Sequence, residues 1–258
     1  MNNSRQELLD LLEEIYSQAE EEYITVLENY KNSMDKVNLL IAGLFISHAS
    51  SGILDYRSLL TKGILNKLKY DIKNEIQENV ESEISNLRNV LHDVFKKAYL
   101  NLSNSLMENT ELEVNIDTLT DEYVDKHVDF DWSGIHYSER ITNNQSALFN
   151  TIWTSIIIGI QNSESIDEIA DNVSKSFNSK AKHSLSLMTT EAARLISDAI
   201  DNIYNNNPFK RVEYISALEV NTCGECATLH GSVYDIDDPS RPMLPRHNRC
   251  KCIYLPVI

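Results

Sequence analysis

The chain has 258 residues, of which 42% are hydrophobic and 24% charged, a composition typical of a globular protein rather than a disordered or fibrous one. It carries 23 Lys and Arg against 39 Asp and Glu, so its formal net charge is −16. Because phosphate backbones repel so acidic a chain, avid non-specific binding of nucleic acid is excluded unless a local basic patch provides it.

No segment of the sequence has the length and apolarity of a bilayer span. The longest strongly apolar stretch, residues 39–46, is far shorter than the roughly 20 residues that a transmembrane helix needs. The opening residues, 1–4, do not resemble the start of a signal peptide. We therefore expect a soluble protein that starts in the cytosol and has no membrane role.

Helix-breaking residues are distributed very unevenly, since all five prolines follow residue 207. Long helices are therefore predicted before that point. Apolar residues recur every three or four positions over residues 8–30 and again over 64–98, which predicts two amphipathic helices whose stripes pack into a core. Residues 101–130 show no sustained period and predict a looser connection or a short helix.

Helical spacing resumes from Tyr137 to Gln161. Ser165 and Glu168 form a capping box that predicts the start of a helix running to Phe177. A further helix is predicted from about Leu185 to Tyr204, where an Asn run and Pro208 end it. Beyond Pro208 the apolar period switches to two, which is typical of strands. The predicted strands cover residues 212–218, 233–236 and 252–257.

These elements predict a mainly α fold, with a long-helix body followed by a small C-terminal α+β module. Three consecutive regions are predicted. They are an N-terminal long-helix region (1–130), a second helical region (131–207) and a small β module (208–258).

All four cysteines fall within one short window near the C terminus. Cys223 and Cys226 have the spacing of a zinc knuckle, and His247, Cys250 and Cys252 follow about two dozen residues later. Tetrahedral zinc takes four ligands of these types, so five candidates compete for four positions. Cys250 and Cys252 would point to opposite faces of a strand, so we expect only one of them to join His247 unless the strand bulges.

Other interpretations of the cysteines compete with zinc. A reducing cytosol disfavours disulfides, and inert buried thiols would not crowd into one window. A redox pair at Cys223 and Cys226 needs a thioredoxin-like context that the predicted fold lacks. His230 is a less favoured sixth ligand. We favour structural zinc that holds together a zinc-knuckle module too small to build a large core alone.

A basic patch surrounds the second cluster and consists of Arg241, Arg246, Arg249 and Lys251. Acidic residues at positions 235–238 reduce the local field. The patch predicts at most weak, salt-dependent contact with DNA, and an ordinary solvated loop is the alternative.

Further motifs accompany the cysteines. Two motifs lie at and before the first cysteine pair: Glu-Tyr-Ile-Ser-Ala-Leu at 213–218 and Asn-Thr-Cys-Gly-Glu-Cys at 221–226. They are followed by Leu-His-Gly-Ser-Val-Tyr at 229–234, by Pro245 and by His-Asn-Arg-Cys-Lys-Cys at 247–252. In this order and spacing they resemble the signature of phage Mu F-like minor head proteins.

The resemblance extends upstream to about residue 130. Residues 132–141 resemble the segment that opens the helical half of the family's domain, so 131–207 corresponds to its helical part. Thr190 and Glu191 stand where the family has Arg-Thr-Glu. Thr189 replaces the Arg, and Thr142 stands where a Trp often follows.

The resemblance implies a non-enzymatic head morphogenesis protein of a tailed phage or prophage. It implies binding to the portal protein, and to the major capsid or scaffold protein, with a role in DNA packaging or ejection. The protein would occupy the host cytoplasm during assembly and then the virion, inside the head near the portal vertex.

The enzymatic alternatives are an HNH-like nuclease and an ADP-ribosyltransferase-type toxin. An HNH nuclease needs a further metal ligand on a helix after its histidine, but strand-like residues follow His247 and Asn248. Glu191 and Arg194 are the polar pair from which a transferase interpretation could start. Their spacing of three residues is typical of an ion pair within a helix. The sequence therefore predicts no catalytic residues.

Overall fold

The computed structural model describes residues 2–109, 118–216 and 223–257. Its fold is mainly α with a small antiparallel sheet near the C terminus, as predicted. No helix in these ranges is both long and apolar enough to cross a membrane. The helices are α1 (Asn2–Glu22), α2 (Ile24–His48), α3 (Tyr56–Thr61), α4 (Ile64–Asn109), α5 (Asp121–Val128), α6 (Tyr137–Gln161), α7 (Ile166–Asn205) and α8 (Gly224–Leu229); the strands are β1 (Arg211–Ile215), β2 (Val233–Asp235) and β3 (Ile253–Pro256).

Two helix predictions are wrong in their boundaries. The single helix predicted over residues 8–30 is interrupted at Tyr23, which separates α1 from α2. The two helices predicted between 165 and 204 form one continuous helix, α7. Residues 178–184 are polar and carry no apolar stripe, but they include neither Pro nor Gly, so nothing interrupts the backbone hydrogen bonds there.

The start of α7 is fixed by the predicted capping box. The backbone N–H of Ser165 donates to Glu168 Oε2 at 2.8 Å, and the backbone N–H of Glu168 donates to Ser165 Oγ at 3.3 Å. The bond from the Ser165 backbone holds the pKa of the Glu168 carboxyl below its usual value. Two N–H groups that the helix leaves without partners are satisfied in this way.

The chain divides into two compact units. The first comprises residues 1–23, 87–132 and 186–258, and the second comprises 24–86 and 133–185. These units differ from the three consecutive regions predicted from sequence (1–130, 131–207 and 208–258), because α4 and α7 each supply residues to both units.

The second unit has a buried carboxylate at its centre. Glu83 of α4 is only 2% exposed. It accepts hydrogen bonds from Gln145 Nε2 at 2.6 Å, from Ser184 Oγ at 2.5 Å and from the Tyr30 hydroxyl at 3.1 Å. One donor comes from each of α2, α6 and α7, so this cluster fixes the register of four helices.

In the first unit, ion pairs hold α5 against α4. Arg88 contacts Asp125 at 2.7 Å and Asp129 at 3.0 Å, and Lys96 contacts Asp121 at 2.8 Å. The hydrogen bond to Asp129 is the largest cause of a raised pKa at Arg88. The side chains are part-exposed and each pair stabilises weakly, but together they fix the position of a helix with only two buried apolar residues.

The sheet also belongs to the first unit, and its strand order is β2-β1-β3. The central strand β1 is antiparallel to both neighbours, with Val212 opposite Tyr234 and Tyr214 opposite Tyr254. The strand predicted over 212–218 ends at Ile215, and its last two residues lie outside the described ranges. The sheet places Tyr214 in the interior of the C-terminal module.

Replacing Tyr30 by Phe removes one of the donors to the buried Glu83 carboxylate. Because the buried Glu83 side chain then loses one of its hydrogen-bond donors, the free energy of unfolding should fall by about 1–3 kcal/mol. Urea unfolding followed by far-UV circular dichroism measures the change. The matched control is Tyr70→Phe, a ring that is 65% exposed, which should shift stability by less than about 0.5 kcal/mol. Equal midpoints for the two variants would contradict the structural importance of the Glu83 cluster.

Candidate metal centre

Cys223 and Cys226 are brought together by the first turn of α8. Cys223 is the N-cap of this helix, and its sulfur accepts a hydrogen bond from the backbone N–H of Cys226 at 3.3 Å. The Cys226 side chain points inward and is 1% exposed. A two-residue spacing folded in this way presents both sulfurs to one ion, as the sequence predicts.

His247 completes this first group of ligands. Its Nε2 lies 3.1 Å from Cys223 Sγ and 3.4 Å from Cys226 Sγ. Its Nδ1 lies 2.9 Å from the carbonyl oxygen of Asn248, and this bond is the largest cause of a raised pKa at His247. Donation from Nδ1–H to that oxygen fixes the tautomer in which Nε2 has a free lone pair, which is the arrangement that metal-binding histidines require.

Cys250 and Cys252 form a second group with Cys226. The three sulfurs lie within 4.8 Å of one another, as do the ligand atoms of the first group, so Cys226 belongs to both. The expectation that Cys250 and Cys252 point to opposite faces is wrong, because both precede β3 and lie in irregular backbone rather than in a strand. The five predicted candidate ligands therefore converge around Cys226.

The sulfur of Cys250 is strongly hydrogen-bonded. The Cys252 side chain is the main contributor, and the backbone N–H groups of Cys252 and Arg246 also donate to it. These bonds lower the pKa of the Cys250 thiol to about 5, although burial opposes the shift. Thiolates are the form that binds metal, so these bonds favour the form of Cys250 that a metal ligand needs.

Tyr214 lies behind the thiols and is fully buried. Its hydroxyl has no hydrogen-bond partner of good geometry among the described residues, and Cys226 and Cys252 are its polar neighbours. Burial raises the pKa of Tyr214 far above its usual value, so the ring keeps its proton. Sequence reasoning missed this residue, although its position in the alternating strand was a signal that it faces the interior.

The donor set fits a soft divalent metal ion. Several thiols and one imidazole are the ligands of structural zinc sites, and Cys226 belongs to both groups. The unpartnered Tyr214 hydroxyl is a proton donor of the kind found around metal-bound thiolates. The cluster can thus hold a metal ion, and the residues that would hold it are Cys223, Cys226, His247 and one or both of Cys250 and Cys252.

The loop that carries His247 is attached to α7. The backbone N–H of Arg249 donates to Thr190 Oγ1 at 2.9 Å, and Arg249 adopts a positive φ of 60°. Few non-glycine residues take this conformation, so the bond to Thr190 helps to hold a strained turn between His247 and Cys250. Thr190, which the sequence singles out only through the family resemblance, thus has a structural role in holding this loop.

The predicted basic patch is largely paired within the chain. Arg241 contacts Asp201 at 3.0 Å, Lys251 contacts Glu20 at 3.5 Å, and Arg246 contacts Glu225 at 3.8 Å. These carboxylates reduce the positive potential that the sequence suggests. The weak contact with DNA through Arg241, Arg246, Arg249 and Lys251 stays a prediction.

The residues named for the enzymatic alternatives have structural partners. Glu191 is 2% exposed and accepts a hydrogen bond from Trp132 Nε1 at 3.0 Å. Arg194 donates to the carbonyl oxygens of His127 at 2.8 Å and Val128 at 3.3 Å, which ties α7 to the end of α5. His247 Nε2 faces the sulfur of Cys223 at 3.1 Å.

Residues 150–255 match the family model described as Phage Mu protein F like protein. The match contains the whole ligand cluster and confirms that this stretch is similar to phage Mu F-like proteins, as its cysteine motifs indicate. The upstream segment 132–141 lies outside the match. Neither the comparison with curated proteins nor that with solved structures found a match.

Replacing Thr190 by Val keeps the shape of the side chain but removes the acceptor for the Arg249 N–H. The amide proton of Arg249 should then exchange with solvent faster, by roughly fivefold if the bond contributes about 1 kcal/mol. Hydrogen exchange measured by NMR reports this amide directly. Thr142→Val is the control, because that exposed hydroxyl bonds only within α6. Unchanged exchange at Arg249 would show that Thr190 does not hold the loop.

Purification under reducing conditions should yield about one metal ion per chain. Cys226→Ser should abolish this binding, because Cys226 belongs to both ligand groups, and should make residues 208–258 sensitive to protease while the helical signal persists. Elemental analysis and limited proteolysis are the measurements. His230→Gln, which lies outside both groups, should keep the metal. Metal-free wild-type protein would contradict the site.

Proposed function

We propose that this phage Mu F-like protein is a structural minor head protein that binds the portal protein, and through it the inner capsid, during head assembly. The family match over residues 150–255 is the observation that carries the proposal, because it points to phage head morphogenesis. The virion, inside the head near the portal vertex, is the corresponding location. A role in DNA packaging or ejection follows from that location.

The metal ion that we propose is zinc, and its role is structural. Catalytic zinc sites keep a coordination position open for water or substrate, whereas structural sites are filled by four protein ligands. This chain supplies five candidate donors, and three of its thiols are buried. When bound, the ion would supply folding energy by joining α8 to the loop before β3.

The contacts of the residues named for the enzymatic alternatives support a non-enzymatic role. His247 is directed at two thiols, and Glu191 and Arg194 are engaged with Trp132 and with backbone carbonyls. A general acid or base must be able to reach a substrate proton. These groups instead hold parts of the first unit together.

For the portal contact we propose the end of α2. Leu39 is 71% and Ile46 is 86% exposed, and the two lie about two helical turns apart on α2. No Lys, Arg, Asp or Glu lies between Lys36 and Asp55, in a chain whose charged fraction is 24%. An exposed apolar surface without charge is suited to a protein partner.

The test is co-purification of the full chain with the portal protein encoded in the same phage genome. The wild-type protein should co-elute with the portal ring in size-exclusion chromatography. Leu39→Gln combined with Ile46→Gln should weaken this association by tenfold or more, because both side chains are expected to be buried on binding. Gln retains helix propensity, so α2 should persist.

The matched control combines Phe130→Gln and Met243→Gln. The side chains of Phe130 and Met243 are 62% and 81% exposed and lie outside α2. It should bind the portal as the wild type does. Co-elution with the major capsid or scaffold protein, but not with the portal protein, would contradict the proposed portal contact. Failure to bind any head protein, together with DNA cleavage in the presence of divalent metal, would overturn the proposal.

A further inference from the structure

A cavity of about 430 Å³ lies between α4 and α6 in the second unit. It is lined by residues of α4 between positions 73 and 81 and by residues of α6 between positions 142 and 150. This volume lies in the range of about 300–1,000 Å³ that is usual for ligand pockets. Every lining residue except Asn150 precedes the stretch 150–255 that matches the family model.

Two contacts join α4 to α6, one towards each end of the cavity. One helical turn beyond the lining residues, the Lys69 ammonium lies 5.7 Å from the centre of the Trp153 ring. At the other end, Gln145 Nε2 donates to Glu83 Oε2 at 2.6 Å. Because the two helices are joined at both ends, the walls of the cavity keep a fixed spacing, and a ligand would not have to separate them.

One part of the cavity wall is apolar and consists of Ile76, Val80 and Phe149. Ile76 is buried, whereas Val80 and Phe149 are half-buried. An apolar group placed against these side chains would remove the remaining apolar surface from water, which stabilises a complex by about 25 cal/mol per Å². The apolar part of the cavity therefore favours a ligand with a bulky apolar group.

Gln145 supplies a buried hydrogen-bond acceptor to the same cavity. The residue is 4% exposed and lines the cavity. Its Nε2 donates to the Tyr30 hydroxyl at 2.9 Å as well as to Glu83, so the orientation of the amide group is fixed. No group among the described residues donates to its Oε1. That oxygen is left to accept an N–H or O–H from a ligand, which would recover the free energy that an unpaired buried acceptor costs.

The charges that line the cavity cancel. Lys73 and Glu81 are the charged residues among the lining side chains, and they lie about two helical turns apart on α4. The other polar lining residues carry amides and hydroxyls: Gln77, Thr142, Gln145, Ser146 and Asn150. A phosphate ligand needs several cations, and a divalent metal ion needs several oxygen ligands of negative charge. An uncharged ligand with amide groups fits this lining better.

We propose that the cavity binds an uncharged peptide segment of a partner protein. A bulky apolar side chain of the segment packs on Ile76, Val80 and Phe149. A backbone N–H of the segment donates to Gln145 Oε1. A peptide combines both features, because its backbone amides are uncharged and its side chains can be apolar. The site lies on α4 and α6, so this contact is additional to the one proposed for the portal on α2.

The test uses the isotopically labelled full chain and the probe N-acetyl-L-phenylalanine N-methylamide, which has one aromatic side chain between two backbone amides. The probe should shift the NMR signals of the Gln145 side-chain amide and the Phe149 backbone amide, with a dissociation constant on the order of 1 mM. N-acetylglycine N-methylamide lacks the apolar side chain, and toluene lacks the amides. Each of these two compounds should bind at least about tenfold more weakly.

A substitution that fills the cavity locates the site. Ser146→Trp should abolish binding of the phenylalanine probe, because the indole would occupy the cavity from α6. Asn143→Trp is the matched control, because Asn143 is exposed on the same helix and does not line the cavity. It should bind the probe as the wild type does. Wild-type affinity in Ser146→Trp would overturn the site.

The remaining outcomes separate the parts of the proposal. Failure of the phenylalanine probe to give a saturable shift up to about 20 mM would overturn binding in the cavity. Equal affinity for toluene would overturn the peptide as the ligand, and equal affinity for the glycine probe would overturn the role of the apolar wall. If Ser146→Trp fails to fold, nuclear Overhauser contacts in the wild type between the probe ring and the Phe149 side chain decide the site, since their absence would overturn it.

Discussion

Two ligand groups that are far apart in the sequence converge on the sulfur of Cys226, and we propose that the C-terminal module depends on this convergence. The described residues of the module form three short strands and one helix of 6 residues, elements that can enclose only a small apolar core. Coordination by thiolates and imidazole can supply folding energy that such a core does not. The turn at Cys223 and the loop at His247 contribute donors that come together only in the folded chain.

The same module is joined to the helical part of the first unit by contacts of several kinds. Thr190 of α7 accepts the Arg249 N–H, and the Tyr204 hydroxyl of α7 donates to the Tyr254 carbonyl oxygen at 3.3 Å. Arg241 bridges Asp201 and the face of the Tyr254 ring. The Mu F-like match spans both α7 and the module, which is consistent with their forming one structure within this unit.

Some of this structure could be predicted from the sequence because local signals were sufficient. The bounds of α6 follow from an uninterrupted apolar period, and the start of α7 follows from its capping box. The continuity of α7 could not be predicted, because residues 178–184 have no apolar stripe. The lack of Pro and Gly is the only local signal that indicates a helix there. The division into two units depends on contacts between segments far apart in the chain, which periodicity does not encode.

The candidate site divides in the same way. The ligand types and their spacing could be predicted from the sequence. That Cys226 belongs to both ligand groups and that Tyr214 lies beside the thiols is seen only in the folded structure. Arg241 and Lys251 are near each other in sequence and suggest one patch, whereas each contacts a carboxylate much earlier in the chain.

The central claim is tested most directly by X-ray absorption at the zinc edge of the purified full chain. The account predicts sulfur neighbours at about 2.3 Å and one imidazole nitrogen at about 2.0 Å, with three sulfurs for each nitrogen. A zinc ion surrounded only by oxygen and nitrogen would contradict it.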